Sequence, residues 1–408
     1  MVESNFQFQH TQKSMKPSLQ RLNSIDCVRG LVILLMALDH TRDYFSGAQF
    51  SPLDLEHTNA TYFLTRWITH ICAPTFVFLA GASAYLSTVR QTLSKLEVSA
   101  YLAKRGLWLI ILELTVVRFG WTFNLDFHYA IIQVIWALGW SMLVLSVLVF
   151  LSRWAIALFA VLNIFGHNVL DAVQPSAFGS WAWIWTVLHV PGNVEYWSGY
   201  AFSVLYPLIP WLGVMAAGYY FGPLFLESPK FRLSVVLGLV GAMLVLFLVL
   251  RLFNLYGDSS LWTTQKDSLT TFLSFINVSK YPPSLLYLLV TLSVMFLLLL
   301  LFEWTKVSWF NKPLLIFGKT PLFFYVLHIP LIHGAMALIL QIRGLPNDWL
   351  FKGSLTKPFP EVPVPEYGYD LGTVYFFWML VVCLLFPLCN VFSSYKQNHP
   401  EKWWLSYL

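Results

Sequence analysis

Ten apolar stretches follow one another along the chain, each about the 20 residues that carry a helix across roughly 30 Å of hydrocarbon. They run approximately over 26–46, 61–87, 101–122, 129–151, 154–171, 199–225, 231–254, 283–304, 314–342 and 370–394. The polar–apolar alternation that a membrane barrel requires is absent from them. The pattern predicts an all-α, polytopic integral membrane protein with about ten transmembrane helices. Composition agrees. Of 408 residues, 57% are apolar and 11% charged, whereas a soluble domain carries about 25% charge to clothe its surface. The formal charge of +5 forms no basic block and the four cysteines form no framework, which excludes a nucleic-acid binder and a disulfide-rich secreted scaffold.

Lysine and arginine set the expected orientation. Counted from the inside, alternate loops carry fourteen of them (Lys13, Lys16, Arg21; Arg90, Lys95, Lys104, Arg105; Arg153; Lys230, Arg232; Lys306, Lys312; Lys396, Lys402). The opposite loops carry eight (Arg42, Arg118, Arg251, Lys266, Lys280, Arg343, Lys352, Lys357). Because positive charge stays on the cytoplasmic side, both termini should be cytoplasmic. The first 24 residues contain no apolar core of the signal-peptide kind. The expected organisation is a cytoplasmic tail over 1–25, a single transmembrane domain over 26–395 and a cytoplasmic tail over 396–408, in the inner (plasma) membrane. No internal repeat stands out. The outward loops are 172–198 with Trp181, Trp183 and Trp185, 255–282 running into Lys280-Tyr281-Pro282-Pro283-Ser284, and the proline-rich 343–369. They read either as interfacial anchors or as a lid over an outward-facing cavity.

Ionisable groups inside a bilayer cost several kcal/mol unless they face protein or water, so each marks a functional candidate. The first helix carries Asp26 and Arg29 at one end and Asp39, His40 and Asp43 at the other. At 100° and 1.5 Å per residue, Arg29 and His40 share a face about 16 Å apart along the axis. On the second, Arg66 and His70 are four residues apart on one face, just before Ala73-Pro74 and the small-residue run Ala80-Gly81-Ala82-Ser83-Ala84, which permits close helix packing. Glu113, Arg118, Gln133, His328 and His333 complete the intramembrane polar set. His40, His70, Asp39 and His328 have no HxxxH, HExxH or CxxC spacing, so no metal is expected. Cys27, Cys72, Cys383 and Cys389 sit in apolar runs and read as packed thiols. Neither a P-loop nor a dinucleotide glycine pattern nor a Gly-x-Ser-x-Gly elbow occurs.

Four segments resemble a known family. They are Arg21-Leu22-Asn23-Ser24-Ile25-Asp26-Cys27-Val28-Arg29-Gly30, Ala73-Pro74-Thr75-Phe76-Val77-Phe78-Leu79-Ala80-Gly81, Tyr206-Pro207-Leu208-Ile209-Pro210-Trp211, and Phe317 through His328. They are similar to bacterial proteins grouped with the catalytic domain of heparan-alpha-glucosaminide N-acetyltransferase, from about residue 20 to 400. The Arg29-x10-His40 spacing also resembles the signature of the wider transmembrane acyltransferase superfamily.

The resemblance implies transfer of an acetyl or other acyl group from cytoplasmic acyl-CoA, with acetyl-CoA as co-substrate, to an amino sugar, glycan or lipid-linked saccharide at the outer face. An imidazole suits the activation of a hydroxyl or amine near neutral pH. The catalytic set expected on this basis is His40, as general base or transient acyl carrier, with Asp39 or another carboxylate fixing its tautomer, and His70. Arg29 and Asp26 are expected at the CoA site. Arg66, grouped with them, or Arg118 would stabilise charge on the thioester oxygen. The chain departs from the lysosomal enzyme's pattern in its Asp39-His40 pair. The family's histidine falls farther along, where this chain offers His57 and His70. The expected partners are the bilayer, acyl-CoA and a saccharide acceptor, without nucleic acid. The competing class is a multi-pass transporter in which the same polar stripe lines a substrate or proton path.

Overall fold

The computed structural model describes residues 22–48, 50–305, 311–351, 367–402 and 404–405. The N-terminal tail up to Arg21, Lys306, most of the proline-rich 343–369 loop and the last residues of the C-terminal tail lie outside the described residues. The first half of the chain forms α1 (Asn23–Phe45), α2 (Ala60–Ile68), α3 (Cys72–Gln91), α4 (Lys95–Leu112), α5 (Arg118–Thr122), β1 (Tyr129–Ile132), α6 (Val134–Leu148) and α7 (Arg153–Gly166). The second half forms α8 (Ala182–Leu188), β2 (Gly192–Trp197), β3 (Tyr200–Val204), α9 (Leu208–Phe221), α10 (Pro229–Leu252), α11 (Ser268–Ile276), α12 (Leu285–Trp304), α13 (Lys312–Lys319), α14 (Pro321–Ile342) and α15 (Leu371–Asn398).

Among the described residues seven helical stretches are long and apolar enough to cross a membrane: Ala60–Gln91, Arg153–Leu170, Leu208–Leu226, Pro229–Leu252, Leu285–Trp304, Pro321–Ile342 and Leu371–Asn398. Three further helical stretches occupy the other expected positions. The α1 and α4 stretches carry several charges each, and α6 has 15 residues. Some expected boundaries need correction. The 129–151 and 199–225 segments each begin in a strand, β1 or β3, and the 314–342 segment is broken at Thr320 between α13 and α14. The all-α expectation is corrected by a three-stranded sheet of order β1-β3-β2, with β1 parallel and β2 antiparallel to β3. Strands this short and partly exposed leave little periodicity to read.

Two devices hold the helices at their working distances. A Cβ on Gly30 of α1 would collide with the Leu314 carbonyl of α13, and one on Gly318 of α13 with the Asp26 carbonyl of α1, so the two backbones touch. A similar reciprocal approach joins Gly81 of α3 to Gly218 of α9, as the small-residue run suggests. The second device is a freed carbonyl. A 3₁₀ turn over Thr69–Ile71 joins α2 to α3, and Pro74 has no N–H to give the His70 carbonyl. The Tyr287 hydroxyl of α12 donates to that carbonyl instead, at 2.7 Å. With α3, α12, α13, α14 and α15 all packed on it, α1 is the central helix, and its Asp26, Asp39, Thr41 and Arg42 are buried in protein.

Candidate active site

His40, half-buried near the C-terminal end of α1, lies against α14. Its ring stacks on His328 at 5.0 Å between centroids, and Trp121 meets it edge-on at 5.1 Å. His40 Nδ1 and His328 Nε2 are 2.7 Å apart. The direction of that hydrogen bond follows from the other side of the His328 ring. His328 Nδ1 faces the Tyr325 carbonyl at 2.7 Å and the Phe324 carbonyl at 3.3 Å. A carbonyl oxygen only accepts, so Nδ1 carries the proton and, in the neutral ring, Nε2 is an acceptor. His40 Nδ1–H then donates to it, and the lone pair of His40 is on Nε2, which has no hydrogen-bond partner among the described residues. The tautomer is set by a histidine and a backbone carbonyl.

Asp39, the carboxylate next to His40 in sequence, is occupied elsewhere. Its Oδ2 accepts from Arg66 Nη1 at 2.6 Å and lies 3.9 Å from Lys280 Nζ, and its Oδ1 is 2.9 Å from Arg42 Nη1. Arg42 also donates to Asp43 at 2.6 Å. Two carboxylates thus face three cations, and a positive surplus is left beside His40.

These residues line a cavity of about 190 Å³ that includes Met36, His40, Arg66, Cys72, Phe76, Trp121, Gln133, Val134, Tyr206, Lys280 and Tyr281. The sheet brings part of this lining together. Parallel pairing of Ile132 with Val204 sets Gln133 beside Leu205 and Tyr206. The Gln133 N–H is anchored by Glu113 Oε1 at 2.9 Å, at the start of a π-helical turn over Glu113–Val117.

At the other end of α1 lies a larger cavity of about 510 Å³. It is lined by Asp26 and Arg29 of α1, Ser83 and Arg90 of α3, Tyr101 and Arg105 of α4, Lys319, Tyr325 and Lys396. One carboxylate among five cations makes it strongly basic. Arg29 is held in place by Asp26 at 3.5 Å, by the Leu79 carbonyl at 3.0 Å and by the Ser83 hydroxyl. The two cavities share three lining residues, Met36, Phe76 and Val134. Met36 is one helical turn from His40.

The structure therefore brings His40 and Asp39 to one cavity and Arg29 and Asp26 to the other. Arg66 lies with His40 rather than at the basic cavity where it was grouped. The expected service of Asp39 to the His40 tautomer is taken by His328. His70 is fully buried against Tyr287, outside both linings. His57 is on an exposed loop, paired with Asp54 at 2.8 Å. Arg118 bonds the Tyr129 and Asn124 carbonyls and the Asn124 side chain, away from both cavities. Of the cysteines, Cys27, Cys72 and Cys389 are buried as expected and Cys383 is exposed. Reading by segment missed Lys280, Tyr281 and Tyr206 as site residues. The Lys280-Tyr281-Pro282-Pro283-Ser284 run was the sign of the first two, and the Tyr206-Pro207-Leu208-Ile209-Pro210-Trp211 segment that of the third.

Fold and site together define a multi-pass helical membrane protein with a histidine pair beside the junction of two polar cavities at opposite ends of its central helix. The family model for heparan-alpha-glucosaminide N-acetyltransferase, catalytic, matches residues 21–263, and the chain belongs to that family. It is accordingly a membrane acetyltransferase. No curated protein matches the chain. Asp26, Arg29, Asp39, His40 and Arg66 fall within the matched residues, whereas Lys280, Tyr281 and His328 lie beyond them.

Proposed function

We propose that the protein transfers an acetyl group from acetyl-CoA, held in the basic cavity, to an amino sugar, glycan or lipid-linked saccharide seated beside His40. The observation that carries this reading is the junction at Met36, Phe76 and Val134, of which Met36 lies one helical turn from His40. Two polar cavities that adjoin at three apolar side chains suit a group that crosses while both of its carriers stay behind. Neither a phosphorylated nucleotide nor a sugar needs to pass, which favours group transfer over permeation.

On this reading Arg29, Arg90, Arg105, Lys319 and Lys396 meet the phosphates of CoA with charge-assisted hydrogen bonds, and the thioester reaches the junction. His40 Nε2 takes the proton of the acceptor amine or hydroxyl as that atom attacks the acetyl carbon. An acetyl-histidine route would use the same nitrogen, since Nδ1 is committed to His328. Arg66 and Lys280 supply positive charge where the thioester oxygen becomes an oxyanion. With the basic cavity on the cytoplasmic side, where CoA thioesters occur, the acceptor cavity opens to the outer face of the inner membrane, in accord with the lysine and arginine count. His40→Ala protein of wild-type abundance should release no CoA above background with glucosamine as acceptor. Undiminished transfer would overturn the role of His40. Mass spectrometry of envelope glycans and lipids with and without the gene should reveal the acceptor as a species lacking one acetyl increment.

A further inference from the structure

The loop between α10 and α12 brings a cation to the acceptor cavity, and the charge contacts of that cation do not fix its place. Lys280 is 8% exposed and lines the cavity. Its Nζ lies 3.9 Å from Asp39 Oδ2 and 5.2 Å from the centre of the Tyr281 ring. Both contacts attract the ammonium, but 3.9 Å is beyond hydrogen-bond reach and neither contact sets a direction. The position of the ammonium therefore depends on how its backbone is held.

Residues 279–284 form a tight strap. Lys280 pairs with Pro283 as a single antiparallel bridge, and the Ser284 N–H donates to the Ser279 carbonyl at 3.0 Å. Pro282 and Pro283 have fixed φ, so the strap has few conformations once its ends are joined. One carboxylate joins them. Asp258 Oδ2 accepts from the Ser279 N–H and from the Ser284 hydroxyl, each at 2.9 Å. Its Oδ1 accepts from the Ser279 hydroxyl at 2.6 Å and from the Ser260 N–H at 2.8 Å. Three of these four charge-assisted bonds come from the two ends of the strap, and bonds of that kind are the strong ones.

The surroundings seat the carboxylate. Gly257, at φ +90°, accepts the Leu286 N–H at 3.1 Å, which sets Asp258 at the N-terminus of α12. There the Ser284 hydroxyl also caps the Tyr287 N–H at 3.0 Å. The strap leans on the end of α7 as well: His167 Nε2 is 2.9 Å from the Pro283 carbonyl, and the Leu285 N–H donates to Asn168 Oδ1 at 2.9 Å. The rest of the loop has a separate anchor. Arg251, in the last turn of α10, donates to the Ser260, Ser274, Phe275 and Asn277 carbonyls at 2.6–2.9 Å.

We propose that Asp258 is a positioning residue for acetyl transfer: by joining Ser279 to Ser284 it presets Lys280 Nζ in the acceptor cavity, where charge develops on the thioester oxygen. This rests on the role given to Lys280 in the function proposed above. A cation held in place before the reaction stabilises that charge without reorganising as it appears. Asp258 is in neither cavity lining, so it acts through Lys280 and not on the substrate.

The test is a double-mutant cycle on the full-length protein in detergent micelles, read as CoA released with glucosamine as acceptor and normalised to folded protein by size-exclusion chromatography. Asp258→Asn keeps the shape of the side chain but turns an N–H toward groups that are themselves donors. It should lower kcat about 10–100-fold, with the KM for acetyl-CoA within about twofold. Lys280→Met should lower kcat about 100–1,000-fold. In the Lys280→Met protein, adding Asp258→Asn should change kcat by less than about threefold, because the ammonium it would displace is already gone. Equal losses from Asp258→Asn in both backgrounds would make Asp258 a structural support only, overturning the inference and leaving the role of Lys280 intact. Wild-type kcat in Lys280→Met would overturn that role and the inference with it, as would the absence of CoA release by the wild type with this acceptor. Should Asp258→Asn not fold, Ser279→Ala runs the same cycle with one bond to the carboxylate removed, and an about 3–10-fold loss of kcat is expected, again present only where Lys280 is.

Discussion

His328 offers the sharpest test of the site, because its contribution can be separated from its bulk. In the wild type its Nε2 accepts from His40 Nδ1 at 2.7 Å and thereby keeps the lone pair of His40 on Nε2. Replacing His328 with Met retains a flexible side chain of similar length with no comparable acceptor, whereas Gln retains a carbonyl oxygen. In His328→Met the His40 N–H faces a buried position without a partner, which costs about 1–3 kcal/mol. The ring escapes that cost by adopting the other tautomer or rotating. Either response withdraws the base. At tenfold per 1.36 kcal/mol, kcat should fall roughly 5–150-fold in His328→Met and by no more than about fivefold in His328→Gln. The KM for acetyl-CoA should stay within about twofold in both, since His328 lies outside the basic cavity. The assay is initial-rate CoA release with glucosamine as acceptor, normalised to folded protein by size-exclusion chromatography. Equal losses in Met and Gln variants would mean that His328 acts by packing alone, and the tautomer argument would fail.

Three further outcomes follow from the same geometry. Asp39→Asn leaves Arg66, Arg42 and Lys280 facing a neutral amide, and the loss of one partner in a buried charge cluster costs about 3–5 kcal/mol; thermal aggregation should begin well below the wild-type temperature, and adding Arg66→Gln should recover part of the difference. Arg105→Gln and Lys396→Gln should each raise the KM for acetyl-CoA about 5–30-fold, for the loss of a charge-assisted contact of roughly 1–2 kcal/mol, with kcat little changed; isothermal titration with CoA checks the same effect on binding. At the junction, Met36→Ala should raise the rate with butyryl-CoA relative to acetyl-CoA, and Met36→Trp should abolish transfer while leaving CoA binding within about threefold; equal acyl preference in Met36→Ala and wild type would locate the passage elsewhere.

Much of the protein was legible along the chain because its information is local. Twenty apolar residues in a row have one stable form in lipid, a helix, whatever lies next to them. The α1 polar stripe could be read from the helical repeat, which put Arg29 and His40 on one face. The charged exceptions to the apolar pattern, with the family segments, were enough to give the membrane class and the acetyltransferase family, and to single out His40 as a candidate. Tertiary structure decided how those residues are used. The partner of His40 is 288 positions away, and no periodicity within one helix says which other helix will face it. Asp39 looked like the natural partner because it is adjacent in sequence, yet neighbours on a helix point about 100° apart, and this carboxylate turned to Arg66 and Lys280. Lys280 and Tyr281 entered the site from a loop before α12, and β1 and β3 delivered Gln133 and Tyr206 through a pairing only four residues long. The backbone contacts at Gly30, Gly318, Gly81 and Gly218 set how closely the helices approach, and that packing places two polar cavities toward opposite ends of α1, adjoining at Met36, Phe76 and Val134.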